Sequence, residues 1–218
     1  MIGVVVAMES EADILLSNMK IQSTLTISGK TVYLGVAYTK EIVLCICGVG
    51  KVNAALGAQL LISKFDVKKL LNFGVAGGLN QSTKLCNVYQ ITEAVQFDFD
   101  LTQLNGTKIG TLDEYSENYL KLNILPVPYD GKRLGTADKF NDSKADYQLL
   151  TEELKADIRD MEGAAIVQAG YKAQLPVYSF KAISDVAGSG STTEQFLINK
   201  DKALQNLKAE LSTIFELL

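Results

Sequence analysis

In the stretch MIGVVVAMESEADIL (Met1–Leu15), an unbroken apolar run passes directly into three acids, Glu9, Glu11 and Asp13. Ile2–Ala7 shows no polar alternation, which is the pattern of a strand buried on both faces of a sheet. Glu9–Met19 then places Ala12, Ile14, Leu15, Leu16 and Met19 at helical spacing. A buried strand feeding a helix is the building unit of α/β proteins, so this junction sets the fold class. The acids have a plain reading, because Glu9 and Glu11 fall in a first helical turn, where carboxylates suit the positive dipole end.

The alternation continues outward from there. Thr24–Ile27, Thr31–Val36 and Ile42–Cys47 are short β-rich runs that read as an antiparallel meander. In GVGKVNAALG the glycines make a loop, and Val52–Leu61 has helical apolar spacing. Lys69–Gly74 is a second buried strand, ending in the loop GVAGGLN. Val88–Thr92 is a further strand, and VQFDFDL (Val95–Leu101) alternates like a strand with one wet face. Asn105–Asn123 is polar and reads as a long loop or lid. Lys132–Thr136 is a short strand, Ser143–Leu154 and Glu162–Ala173 are helices, Val177–Ile183 is a strand, and Thr192–Leu218 is a long amphipathic helix. No repeat or Pro/Gly linker interrupts the pattern. The expected architecture is one domain over residues 1–218, a three-layer α/β/α fold around a central mixed sheet.

Composition narrows the function. The 218 residues are 47% hydrophobic and 21% charged, with a net charge of -4. That suffices for one sizeable core, and without a basic block nothing points to nucleic acid or an anionic membrane as partner. No apolar run reaches the roughly 20 residues a bilayer span needs. Ile2–Ala7 is too short for a signal-peptide core and lacks a basic flank. Cys45, Cys47 and Cys86 are an odd number in apolar settings, which reads as reduced, buried thiols and a cytoplasmic location. Cys45 and Cys47 are spaced C-x-C with no second cluster, so they make no metal site. The chain has no histidine. That excludes Ser-His-Asp and Cys-His catalysis and histidine-based zinc sites. Acid–base chemistry must come from Asp, Glu, Lys, Tyr, Cys or water.

Ligands of open α/β sheets bind beyond the carboxyl ends of the strands. The signals at those ends are AMESE, CGVGK, GVAGGLN and AISDVAG, with IRDMEGAA opening a helix. Each has a plain structural reading as a turn or cap. Neither glycine segment is a phosphate loop of the G-x-x-x-x-G-K-[ST] or G-x-G-x-x-G kind. Ser184–Asp185 reads alone as an N-cap, and Phe140 as a core aromatic. Together, however, Glu11, Glu162 and Asp185 stand at three strand–helix junctions that converge on one sheet edge.

AMESE, CGVGKVNAALG, FGVAGGL, DFDLT, DMEGAA and KAISDVA, in this order, resemble the 5′-methylthioadenosine/S-adenosylhomocysteine nucleosidases of the nucleoside phosphorylase/hydrolase superfamily. The resemblance runs over nearly the whole chain and is least clear across Asn105–Asp130. It implies hydrolysis of the N-glycosidic bond between adenine and a 5′-thio-substituted ribose, without cofactor or metal, by a cytoplasmic homodimer. It implies that Asp185 protonates adenine N7, oriented by Ser184, and that Glu11 activates water. It places Glu162 on the ribose hydroxyls and Met161 against the sugar. Phe140 stacks on the base, and the backbone of Asn141 reads its edge. Gly77 makes a backbone contact near water and sugar, and Met8 and Val49 wall the ribose and thio-substituent pocket. The physics agrees: positive charge develops on the ribose, and the leaving purine needs a proton.

Four departures from the family pattern bear on substrate choice. Lys181 replaces a usual Arg, Val75 a usual Ser, and Ala137 a usual Gly. Val186–Gln195 is short and lacks the aromatic that the family commonly places there, which predicts a 5′ pocket that is more open or built differently. Three other readings remain open: a purine nucleoside phosphorylase, a nucleosidase for futalosine or aminodeoxyfutalosine, and a nucleoside-binding protein without turnover. The phosphorylase would need an arginine-rich anion site where this chain has glutamates and Val-Ala-Gly-Gly.

Overall fold

The computed structural model describes residues 1–218. Strand β1 (Ile2–Val6) lies inside a ten-stranded mixed sheet with all five residues buried. It pairs in parallel with β4 (Lys40–Ile46) on one side and β5 (Lys69–Gly78) on the other. That central place explains the unbroken apolar run. Val5 faces one helical layer, while Ile2, Val4 and Val6 face the other. The meander is present as β2 (Lys20–Ile27), β3 (Lys30–Ala37) and β4, antiparallel throughout.

Helices α1 (Glu9–Leu16) and α6 (Thr192–Leu217) cover one face of the sheet. Their Leu15, Leu207, Leu211 and Phe215 pack on Val4, Leu44, Phe73 and Phe180. Helices α2 (Lys51–Lys64) and α5 (Gly163–Lys172) cover the other face through Ala54, Ala58, Leu61 and Ile166. The small residues of α2 and α5 let both helices approach closely. Gly57 shows this, since an added Cβ would stand 2.6 Å from the Cys47 side chain. Each fully buried Leu or Phe contributes about 1.5–3 kcal/mol by leaving water.

The remaining strands are β6 (Val88–Gln96), β7 (Leu120–Lys121), β8 (Gly131–Thr136), β9 (Ile158–Asp160) and β10 (Val177–Val186). β5 pairs with β10, β10 with β6, β6 with β8, β8 with β9, and β9 returns to β5. One end of the sheet therefore closes on itself. This closure brings β9 beside β5.

Several expectations change. GVAGGLN is not a loop from Val75 onward, because β5 continues through Gly78. VQFDFDL is strand only to Gln96; the chain then turns into the short helix α3 (Thr102–Asn105). Ser143–Leu154 divides into α4 (Lys144–Gln148) and a π-helical turn over Leu149–Glu153 that carries Leu150 into a core with Leu79 and Phe97. Asn105–Asn123 is not a lid over the cavity. Leu112, Tyr119 and Leu120 in it are buried, and Glu114 pairs with Lys172 of α5 at 2.6 Å. No helix is long and apolar enough to cross a membrane.

Candidate active site

β1, β4, β5 and β10 run parallel, so their carboxyl ends share one edge. A cavity of about 500 Å³ opens there, and Glu11, Glu162, Ser184 and Asp185 all line it. The three acids predicted from separate junctions are thus brought together.

Glu11 sits in the first turn of α1, 4% exposed, with its carboxylate turned back toward the sheet. Its Oε2 accepts from the N–H groups of Ala7 and Met8 at 3.0 and 3.1 Å, and Oε1 from Val75 N–H at 3.0 Å. Burial pushes its pKa up, against the Lys181 charge and these three donors. The pocket for it exists because residue 74 is glycine: an added Cβ would stand 2.1 Å from Glu11 Oε1. Glu9, by contrast, is exposed and keeps its plain helix-end role.

Asp185 reaches the cavity through an irregularity in β10. The register with β5 shifts between Ile183 and Asp185, which inserts Ser184 as an extra residue. Bulges of this kind re-aim side chains, and here Ser184 and Asp185 both line the cavity. Ser184 Oγ donates to Asp185 Oδ1 at 2.8 Å. Asp185 Oδ2 is buried and has no partner. Burial pushes the Asp185 carboxyl up, and Ser184 and Arg159 only partly oppose it.

Glu162 caps the start of α5, and its Oε1 accepts from Gly50 N–H at 2.8 Å. Gly50 has φ 100°, which favours glycine at this turn. Burial and the neighbouring Asp160 charge push Glu162 up to about 7. Asp160 is held by Thr136 Oγ1 at 2.6 Å, Gly163 N–H at 2.9 Å and Lys181 Nζ at 2.9 Å. Burial favours the neutral form of Lys181, but the charges of Asp160, Glu11 and Glu162 outweigh it and raise its pKa. Lys181 therefore acts as a buried cation among carboxylates, held by one oxygen where a guanidinium would use a fork.

Met8, Val49, Met161 and Phe140 supply the apolar wall. Asn141 does not itself line the cavity but follows Phe140, which does, and its carbonyl accepts from Arg159 Nη1 at 2.7 Å. Val186–Gln195 contains no aromatic, but Phe196 follows it directly. The first turns of α6 bring Thr193, Phe196 and Leu197 to the cavity, and Phe196 packs edge-on against Phe140 with centroids 5.6 Å apart. Gly77 is also placed differently. It lies inside β5, opposite Asp185 of β10 and Arg159 of β9, rather than in a loop. Arg159 and Asp160 were missed because β9 is only three residues long. Phe196 was missed because it falls one residue beyond the segment in question. The one available signal was IRDMEGAA, with two opposite charges beside a helix start.

The comparisons with known proteins agree with this geometry. A family model described as the phosphorylase superfamily matches residues 1–216. The chain is 29% identical over 231 residues to the 5′-methylthioadenosine/S-adenosylhomocysteine nucleosidase of Buchnera aphidicola subsp. Baizongia pistaciae, with 99% of this chain and 91% of that protein covered. It is 28% identical over 217 residues to the aminodeoxyfutalosine nucleosidase of Campylobacter jejuni, with 94% and 95% covered. The crystal structure of a 5′-methylthioadenosine/S-adenosylhomocysteine nucleosidase from Colwellia psychrerythraea 34H, in complex with adenine, superposes with a TM-score of 0.89 at 27% identity, covering 99% and 95%.

Proposed function

The chain belongs to the phosphorylase superfamily, on its purine-nucleosidase branch, and from that premise we propose that it hydrolyses the N-glycosidic bond of 5′-methylthioadenosine and S-adenosylhomocysteine, releasing adenine and the 5′-thio-ribose. One observation carries the reading. A buried carboxyl with a free oxygen, Asp185 Oδ2, shares a cavity with a donor-held carboxylate, Glu11.

In this reading water bonds to C1′ and gives its proton to Glu11. The C1′–N9 bond breaks with its electron pair going to the purine, and Asp185 delivers its proton to N7. Burial keeps Asp185 protonated above the ordinary carboxylate range, as a general acid needs. Positive charge on the ribose is stabilised by the carboxylates of Glu11 and Glu162. Glu162, with Oε1 tied to Gly50, offers its other oxygen to the ribose hydroxyls. Phe140 and Phe196 hold base and 5′ tail. The same acidity disfavours phosphate as nucleophile. Lys181 is already committed to Asp160, and Arg159, opposite Gly77, lies beside Asp185 rather than Glu11.

A second 5′-modified purine nucleoside, of the futalosine kind, is supported by the open mouth of the cavity, where Leu197 is 73% exposed. Base release from methylthioadenosine, adenosylhomocysteine, inosine and futalosine, with and without phosphate, tests both readings. Release from the thio-nucleosides without phosphate is expected. A requirement for phosphate would replace hydrolysis by phosphorolysis, and no release at all would leave a binding protein.

The homodimer is supported by exposed apolar side chains one turn apart on α2, Val52 at 70% and Leu56 at 56%. Sedimentation equilibrium is expected to give twice the 23.7 kDa chain mass; a monomer at micromolar concentration would refute it.

A further inference from the structure

Lys30 opens β3 as a buried cation that the reaction above does not use. Its partners are neutral. Nζ donates to the Cys47 carbonyl at 2.5 Å and to Asn53 Oδ1 at 3.2 Å, and it forms no ion pair. Taking an ammonium out of water without a counter-charge is costly, and two neutral oxygens offset that cost only in part. Lysine is almost never buried unless it is paired, so the position calls for an explanation.

The end of the sheet ladder gives half of one. β3 pairs with β4 from Thr31 opposite Ile46 onward, so the Cys47 carbonyl lies just past the last rung. The N–H groups of Cys47 and Gly48 have gone over to the β1 side, donating to the Val6 and Ala7 carbonyls. The Cys47 carbonyl needs a donor, but a hydroxyl or a water would serve. The second contact says more. Asn53 donates through Nδ2 to the Val49 carbonyl at 2.8 Å, and an added Cβ at Gly48 would stand 3.3 Å from that nitrogen. Lys30 and Asn53 together therefore grip the Cys47–Val49 turn at both ends, and a charged donor grips more firmly than a neutral one.

That turn builds the sugar end of the site. Val49 and Glu162 line the cavity, and Gly50 N–H is the donor that fixes Glu162 Oε1 at 2.8 Å. Gly48 and Gly50 have φ 90° and 100°, so nothing intrinsic to the turn selects one conformation. On its downstream side Lys51 N–H is tied to Asp138 Oδ1 at 2.7 Å. On its upstream side the side-chain ties come from Lys30 and Asn53.

We propose that Lys30 is a positioning residue for the ribose: through the Cys47 carbonyl and Asn53 it holds the turn that aims Gly50 N–H at Glu162, and so sets the Glu162 oxygen that meets the ribose hydroxyls. The inference rests on the nucleosidase reading above and extends it to a residue outside the cavity.

The test compares Lys30→Met with the wild type on two substrates, 5′-methylthioadenosine and its 2′,3′-dideoxy analogue, which gives Glu162 nothing to hold. Without the hydroxyls the glycosidic bond is weaker, because they withdraw electron density from the carbon that becomes positive. Lys30→Met is expected to lower kcat/KM about tenfold or more for methylthioadenosine, as small misplacements do, and less than about threefold for the dideoxy analogue. Equal losses on both substrates would mean that the lysine merely supports the fold, and would overturn the proposal. Unchanged kcat/KM on methylthioadenosine would overturn it too, with the nucleosidase reading intact; a wild type that releases no base from either substrate would remove that reading first. Should Lys30→Met not fold, Asn53→Leu cuts the next link at an exposed position. It is expected to show the same preference, a loss with methylthioadenosine and none with the dideoxy analogue, and equal behaviour of the two substrates would again overturn the proposal.

Discussion

Asp185→Asn is expected to lower kcat about 10²–10⁴-fold, the range for losing one general acid, with KM for a thio-nucleoside nearly unchanged. The amide keeps the size of the side chain, and its oxygen still accepts from Ser184 Oγ, which lies 2.8 Å from Oδ1. Its nitrogen falls at Oδ2, the atom that has no partner in the chain. There it can donate a hydrogen bond to N7 but cannot transfer a proton, so the purine must leave as an anion. The fold has little to lose. A carboxyl with a raised pKa is one whose ionisation the folded state opposes, so stability falls as pH rises past the unfolded value, and removing the group at neutral pH takes away that cost. Steady-state kinetics, a thermal melt and binding of a substrate analogue check this together. Near-normal turnover in a folded Asp185→Asn protein would sink the assignment of the acid.

Two of the three acids, Glu11 and Asp185, were legible in the sequence because β1 and β10, which position them, have strong patterns; Glu162 was legible only from DMEGAA at a helix start. Ile2–Ala7, Lys69–Gly74 and Val177–Ile183 are mostly apolar runs of the kind a central parallel strand makes, and parallel strands end together. Residues just beyond such strands share an edge, whatever their separation in sequence. Arg159 was not legible for the opposite reason. β9 has three residues, and it is a strand only because the sheet closes through β8 and β5. No local period announces a pairing made by closure. The Gly77 gap was equally hidden: glycine at a strand end reads as a turn, and only the neighbouring strands show two side chains meeting above it. Phe196 illustrates a boundary effect. Helix α6 starts at Thr192, so the aromatic sits in its second turn and points back over the cavity beside Phe140. Asn105–Asn123 is largely the long loop its polarity suggests, but buried Leu112, Tyr119, Leu120 and Leu122 pin it to the body instead of leaving it free to close over the cavity.

Glu11→Gln separates the base from the acid by its effect on stability. Activity is expected to fall by about 10²–10⁴-fold here as well, since an amide cannot take a proton from water. The fold, unlike that of Asp185→Asn, should suffer. Both Glu11 oxygens accept backbone N–H groups, Oε2 from Ala7 and Met8 and Oε1 from Val75. An amide has one oxygen, so either orientation sets an NH₂ group against at least one buried donor, at a cost of about 1–3 kcal/mol. For a chain of this size that is a melting temperature lower by roughly 2–4 °C for each kcal/mol. The pH profile supplies the second arm. With Glu11 raised by burial, the wild-type rate is expected to fall on the acid side at a pH above the ordinary glutamate value, as the base takes up its proton. On the alkaline side it falls as Asp185 loses its proton, also above the ordinary aspartate value. In Glu11→Gln the residual rate should lose the acid limb and keep the alkaline one, because only the acid still titrates. An acid limb that survives the substitution would assign the base to another carboxylate in the cavity, Glu162 first, since burial and Asp160 already hold its pKa at about 7.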